Sequence, residues 1–146
     1  MLIAVTRLRV RSLLTLPGFV WYAIAVSHQA RRGAGFLGGK LLVDSHRTFW
    51  TMTAWQSAKQ MHVFMASGDH RRVMPRLAAW CDEASVAHWT QETDEMPDWM
   101  EVHRRMVGEG RASLVNRPSP RHEKLEFPQP RIKPRIERIL KPLPAK

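Results

Sequence analysis

His70 is the side chain in this sequence best suited to moving a proton. It follows Ser67-Gly68-Asp69, a stretch that ends one helix and starts another, so it falls in the first turn of the new helix. The positive end of a helix dipole disfavours imidazolium there. A neutral imidazole can act as an acid or base, or hold a haem iron as an axial ligand. The plainer reading is a packed, hydrogen-bonded histidine at a helix N-terminus. Arg7 and Arg47, with Arg9 and His46, fall near strand ends. Guanidinium groups so placed would stabilise a developing anion or grip a carboxylate; otherwise they form a solvated basic rim. Candidate catalytic residues are therefore His70, Arg47 and Arg7. His28 is a second candidate haem ligand on the apolar stripe of an earlier helix, or else a satisfied core histidine.

A flat apolar pocket needs aromatic walls. Trp50, Trp55, Phe64 and Trp21 are the candidates, although packing alone would account for each of them, and for Trp80 and Trp89. Asp82 and Glu83 form an acidic pair that could do acid/base work, but a loop cap is the simpler expectation. Cys81 is the only cysteine. It reads as a small buried hydrophobe, and no Cys/His spacing suits zinc. No nucleophile triad or phosphate loop appears.

These residues must be positioned by regular elements. Leu2 to Val10 alternates as a strand, with Ile3, Val5, Arg7 and Arg9 on one face and Ala4, Thr6, Leu8 and Val10 on the other. Pro17 suits the first turn of a helix that reaches about Arg32, and Gly33 stops it. Residues 35–43 form a second strand, in which Gly38-Gly39 signals a bulge or a close backbone approach. A turn at 44–47 leads into a third strand, 48–55. Trp50 and Trp55 fall on opposite faces of it. Ser57 caps the next helix, with Gln60 at the capping-box position. Beyond His70, Pro75 is expected to kink or restart the helix. A short fourth strand is expected at 85–89, then a last helix ending near Gly108.

The order β-α-β-β-α-β predicts an α+β, ferredoxin-like domain over 1–110, with a four-stranded antiparallel sheet and an extra C-terminal helix. Strands one and three are apolar on both faces. A second copy of the chain, packed sheet on sheet as a dimeric α+β barrel, is the expected cover for the open face. Residues 111–146 read as an extended or disordered tail. Seven of the ten prolines lie in 117–146, with nine Lys/Arg against three Glu. Ile132, Ile136, Ile139 and Leu140 could form one amphipathic turn there.

The formal charge of +10 invites nucleic acid or an anionic membrane as partner. More than half of the excess sits in the tail, which carries Phe127 as its only aromatic residue. Nucleic acid is therefore not expected, while peripheral membrane contact by the tail stays open. The single cysteine suits a reducing compartment, and a cytoplasmic location is expected. The basic N-terminus and the apolar run 13–26 resemble a secretory leader, but Pro17-Gly18 interrupts the run and the preceding residues alternate as a strand.

The element order, the strand ending Phe49-Trp-Thr-Met-Thr-Ala-Trp55, the immediate helix and the break Phe64-Met-Ala-Ser-Gly-Asp-His70 together resemble the antibiotic biosynthesis monooxygenase family of dimeric α+β barrels. The similarity is greatest to an uncharacterised branch related to spheroidene monooxygenase. It spans about residues 1–92, and its motifs are mostly structural. It implies a homodimer and a pocket between sheet and helices. The occupant would be a hydrophobic polyketide-, quinone- or terpenoid-like substrate, oxidised without a cofactor. Haem chemistry with His70 or His28 is the alternative, and a non-catalytic binding module using the basic tail is another. The haem-degrading members carry an asparagine, a tryptophan and a histidine where this chain has Thr6 or Arg7, Phe64 and Met74, so their mechanism is not carried over.

Overall fold

The computed structural model describes residues 1–131 and 136–144. The chain runs β1 (Leu2–Val10), α1 (Leu16–Arg32), β2 (Phe36–Asp44), β3 (Thr48–Trp55), α2 (Ala58–Met65), α3 (Gly68–Trp80), β4 (Cys81–Thr90), α4 (Trp99–Glu109), β5 (Arg111–Ala112) and β6 (Glu137–Leu140). The ferredoxin-like α+β plan holds, but the antiparallel sheet has six strands rather than four, in the order β5-β4-β1-β3-β2-β6. Central β1 pairs Leu2 with Trp55 of β3 and with Thr90 of β4. The expected glycine approach is present: a Cβ on Gly39 would lie 2.6 Å from the Met52 carbonyl oxygen, beside a register shift between Phe36 and Gly38.

Alternation along β1 and β3 sorts the core into two sides. Ile3, Val5, Trp50 and Met52 pack with Trp99, Val102 and Met106 of α4. Val10, Cys81 and Trp55 pack on the other side, against residues of α1, α2 and α3. The sheet face for which a second copy was expected is therefore covered from within the chain, by α4 and by Leu125 and Phe127. Burying such residues is worth about 1.5–3 kcal/mol each.

The C-terminal segment is extended but docked, which corrects the expectation of a loose tail. Ala112 pairs with Ser85 at one edge of the sheet. Leu140 pairs with Gly39 at the other. Between them Leu125 and Phe127 are buried. Sequence composition failed here because proline and charge exclude compact structure of the segment's own, not docking onto an apolar surface made elsewhere. The amphipathic turn expected at 132–140 is strand β6 over its last four residues, and Ile132 lies outside the described residues.

Two smaller expectations also change. Pro75 lies inside one continuous α3 and does not restart it. β4 begins four residues early, at Cys81, so Asp82 and Glu83 are strand residues rather than a loop cap.

Candidate functional site

The helix side of β3 holds the better-formed candidate site. Ser57 caps α2 as expected, accepting from the Gln60 amide, and Ser57 Oγ also donates to Gln60 Oε1. Phe64 of α2 stacks on Trp55, with ring centroids 5.1 Å apart and planes 27° apart. His70 meets Phe64 edge to face at 4.9 Å.

The α2–α3 junction is fastened to α1 by one side chain. Gln29 Nε2 donates to the carbonyls of Phe64 and Ser67, and Gln29 Oε1 accepts from the His70 amide at 2.8 Å. Gly68 is required at this junction. Its φ is +57°, and a Cβ would lie 2.9 Å from the Gln29 amide carbon.

His70 is therefore fixed in orientation. Its Nδ1 lies 3.0 Å from the Met65 carbonyl oxygen, so Nδ1 carries the proton and donates, and Nε2 is left as the basic lone pair. Burial lowers its pKa below the ordinary histidine value, while the bond to Met65 opposes that shift. The neutral ring is thus favoured, by burial rather than by its place in the first turn of α3.

Beside this junction a groove of about 660 Å³ opens between α1 and α2. Ala25, Phe64 and Val63 supply apolar wall; His28, Gln60 and Ser67 supply polar groups; Arg32 and Lys59 supply charge. Gln29 lines the groove and accepts from the His70 backbone amide, while the His70 ring is not among the lining residues.

The remaining candidates divide. His28, a candidate haem ligand or core histidine, and Phe64, a candidate pocket wall, both line the groove. Trp55 is fully buried behind Phe64. Trp50 is on the opposite face, under α4, with Trp99 and Phe127 against it. Trp21 is neither core nor pocket: it is 72% exposed on α1. Arg47 closes the β2–β3 turn with φ +59°, donating to the carbonyl oxygens of Val10 and Arg11.

Arg7 is on the α4 face and cannot assist His70, because the sheet lies between them. The catalytic trio His70, Arg47 and Arg7 is not assembled. Cations do reach the groove, but they are Arg32 and Lys59. The arginines of β1, Arg7 and Arg9, reach Glu83 instead.

Sequence reasoning missed the buried ionic cluster under α4. Arg7 Nη1 donates to Glu83 Oε2 at 2.6 Å, and Arg9 Nη1 and Ser119 Oγ donate to Glu83 Oε1. The Arg7 guanidinium lies 4.0 Å from the Phe127 ring centroid. Burial raises the Glu83 carboxyl, but hydrogen bonds from Arg7 and Ser119, together with the charges of Arg7 and Arg9, outweigh it and hold the pKa below the usual value. Burial lowers Arg7, which still stays charged because a guanidinium starts so high. Nearby, His122 accepts the Ala84 amide at Nδ1 and donates from Nε2 to the Ser113 carbonyl. The charged groups of this cluster pair with one another, while Arg7 Nε, Arg9 Nε and Asp82 Oδ1 are buried without a hydrogen-bond partner. An acidic pair opposite arginines in strand register was the available signal.

A haem would need a free imidazole nitrogen and a flat slot beside it. His70 Nε2 meets the first condition. Phe64 packs edge to face on that ring at 4.9 Å, and no step is routed through haem. Among the described residues no cluster of His, Cys, Asp or Glu could hold a metal ion, and no helix is long and apolar enough to cross a membrane.

The sheet order and the helix layer define a ferredoxin-like α+β protein of the kind seen in antibiotic biosynthesis monooxygenases. The profile of the family described as "Domain of unknown function (DUF3291)" matches residues 11–109, and the chain belongs to that family. No curated protein matches it. Solved structures share the fold at low identity. SnoaB from Streptomyces nogalater, a cofactor-independent oxygenase solved in a mutant form, is 15% identical with a TM-score of 0.55, over 66% of this chain and 97% of that one. An antibiotic biosynthesis monooxygenase is 16% identical with a TM-score of 0.55, over 66% and 100%. Rv0793 from Mycobacterium tuberculosis is 11% identical with a TM-score of 0.58, over 66% and 98%. About a third of this chain falls outside each match.

Proposed function

We propose that this protein is a monooxygenase-like enzyme that binds a hydrophobic polyketide-, quinone- or terpenoid-like molecule between the α1–α2 groove and His70, and oxidises it without a cofactor. The observation that carries the reading is His70, whose Nδ1 is held by the Met65 carbonyl so that Nε2 is left as the base, one residue beyond Asp69 of the groove wall. The shared fold with a cofactor-independent oxygenase supports it.

In this reading Nε2 takes a proton from an acidic C–H of the substrate. The carbanion reduces molecular oxygen, and collapse of the adduct leaves one oxygen atom in a new carbonyl and releases the other as water. A methylene plus O2 becomes a carbonyl plus H2O, so atoms and electrons balance with no added reductant. Arg32 and Lys59 stabilise the anion, and Phe64 stacks on a flat ring.

The test is oxygen uptake with a panel of anthrones and hydroquinones. His70→Asn keeps a donor for the Met65 carbonyl but removes the base. A general base is worth roughly 10²–10⁴-fold in rate, so turnover should fall by at least that lower factor with the far-UV circular dichroism unchanged. Full turnover in the variant would refute the assignment.

The resemblance to the spheroidene monooxygenase-related branch also implies a homodimer. Sedimentation equilibrium tests it, and a monomer at working concentration removes it. Because α4 and Phe127 already cover the apolar sheet face, the contact between copies would have to use another surface.

A further inference from the structure

Helix α1 buries Phe19 and Ala30 but leaves a continuous outer stripe exposed: Pro17, Val20, Trp21, Ile24 and His28, ending at Arg32. Trp21 is 72% exposed and Ile24 60%. The stripe extends through the turn before the helix, where Leu13 and Leu14 are 68% and 92% exposed. Within α1, Pro17, Trp21 and Ile24 follow one another at spacings of four and three, so they share one side, and Leu14 is exposed in the turn just before the helix. An apolar row this regular, outward on a helix whose opposite side is already packed, needs an occupant.

Charge identifies the occupant. Helices α1, α2 and α3 carry Arg31, Arg32, Lys59, Arg71, Arg72 and Arg76, against Asp69 alone. Asp69 is itself 3.5 Å from Arg72. α4, on the opposite face of the sheet, carries Glu101 and Glu109, paired with Arg104 and Arg105. The basic excess among the helices is thus confined to the layer that shows the apolar stripe. A second copy docking through the same layer would set like charges against one another.

We propose that the α1 face docks on an anionic lipid surface, with Leu14, Trp21 and Ile24 entering the headgroup–acyl boundary and the arginines of α1 and α3 meeting lipid phosphates. Tryptophan suits that depth because its ring is apolar and its N–H finds a polar partner. The C-terminal segment meets this helix at Arg31, whose Nε donates to the Lys141 carbonyl and whose carbonyl accepts from the Leu143 amide; the inference does not depend on the oxygenase reading.

The experiment is co-sedimentation of the full chain with phosphatidylcholine vesicles, with and without phosphatidylglycerol. Binding is expected only when phosphatidylglycerol is present, and it should weaken as salt rises. The double variant Trp21→Ser with Ile24→Ser should lose about tenfold or more in partitioning. Leu14→Ser, at a site outside the helix, should lose less but in the same direction, which separates docking from helix damage. Arg32→Gln with Arg71→Gln should weaken binding to anionic vesicles selectively. Equal binding to both vesicle types overturns the proposal. Binding that survives the Trp21/Ile24 change also overturns it, by assigning the contact to another surface such as 117–146. So does loss of self-association, or of DNA retention, in that variant with vesicle binding unchanged.

Discussion

Arg7 and Glu83 face each other from strands β1 and β4 with Nη1 2.6 Å from Oε2, and their side chains are 6% and 3% exposed. The Phe127 ring, from the far end of the chain, lies against the same guanidinium. A buried charge pair is thus closed over by a segment that carries no fold of its own. Removing one partner of such a pair leaves the other buried and uncompensated, which costs about 3–5 kcal/mol.

Glu83→Gln should therefore destabilise the protein by about 3 kcal/mol, read as a lower urea midpoint at pH 7. The pH dependence has a definite sign. The folded pKa of Glu83 lies below its unfolded value, so its stabilisation is complete above the ordinary glutamate range and disappears as pH falls through the folded pKa. The wild type should lose stability on acidification below about pH 4.3, the unfolded value. The Glu83→Gln protein should lose less over the same interval.

Phe127→Ala removes a ring that meets Trp50 at 5.7 Å as well as covering Arg7. A loss of about 3 kcal/mol is expected from large-to-small substitution of a buried phenylalanine, seen in thermal unfolding. A freely solvated tail would show no change on the same substitution.

His70 should titrate below the ordinary histidine value, because burial disfavours its charged form. The unfolded chain takes up the proton first, so the contribution of His70 to stability is present above about pH 6.5 and declines as pH falls from there towards the folded pKa. A nuclear magnetic resonance titration of the ring reads the value directly. If the oxygenase reading holds, the acid limb of the rate profile follows that same pKa and is absent in His70→Asn.

Cys81 is buried, and its thiol is pushed up to about 12, first by burial and then by Asp82. Thiolate is the reactive form, so a disulfide reagent should label the native protein very slowly. Labelling should become fast only under denaturant. Rapid labelling at neutral pH without unfolding would contradict the placement of Cys81 between Val10 and the α1–α3 layer.

Much of the fold was legible along the chain. The alternation of β1, the opposed Trp50 and Trp55, the Ser57 cap and the Gly68 break are local consequences of side-chain period and backbone sterics. Each appears where residue type and spacing put it. The direction of the His70 shift was expected from its helix position, but the cause is burial, which only packing supplies.

What neighbours each residue across space was decided only by the tertiary structure. Arg7 and Arg47 looked like partners of His70 because all three carry suitable chemistry. A sheet has two sides, however, and spacing along one strand does not reveal what the strand beside it presents. Glu83 became a buried counterion only once β4 was placed against β1. The C-terminal segment became part of the core only once β1 and β3 had made an apolar face for Leu125 and Phe127 to cover. Local physics set the elements of this protein; the pairing of distant groups, and with it the identity of the candidate site, came from packing.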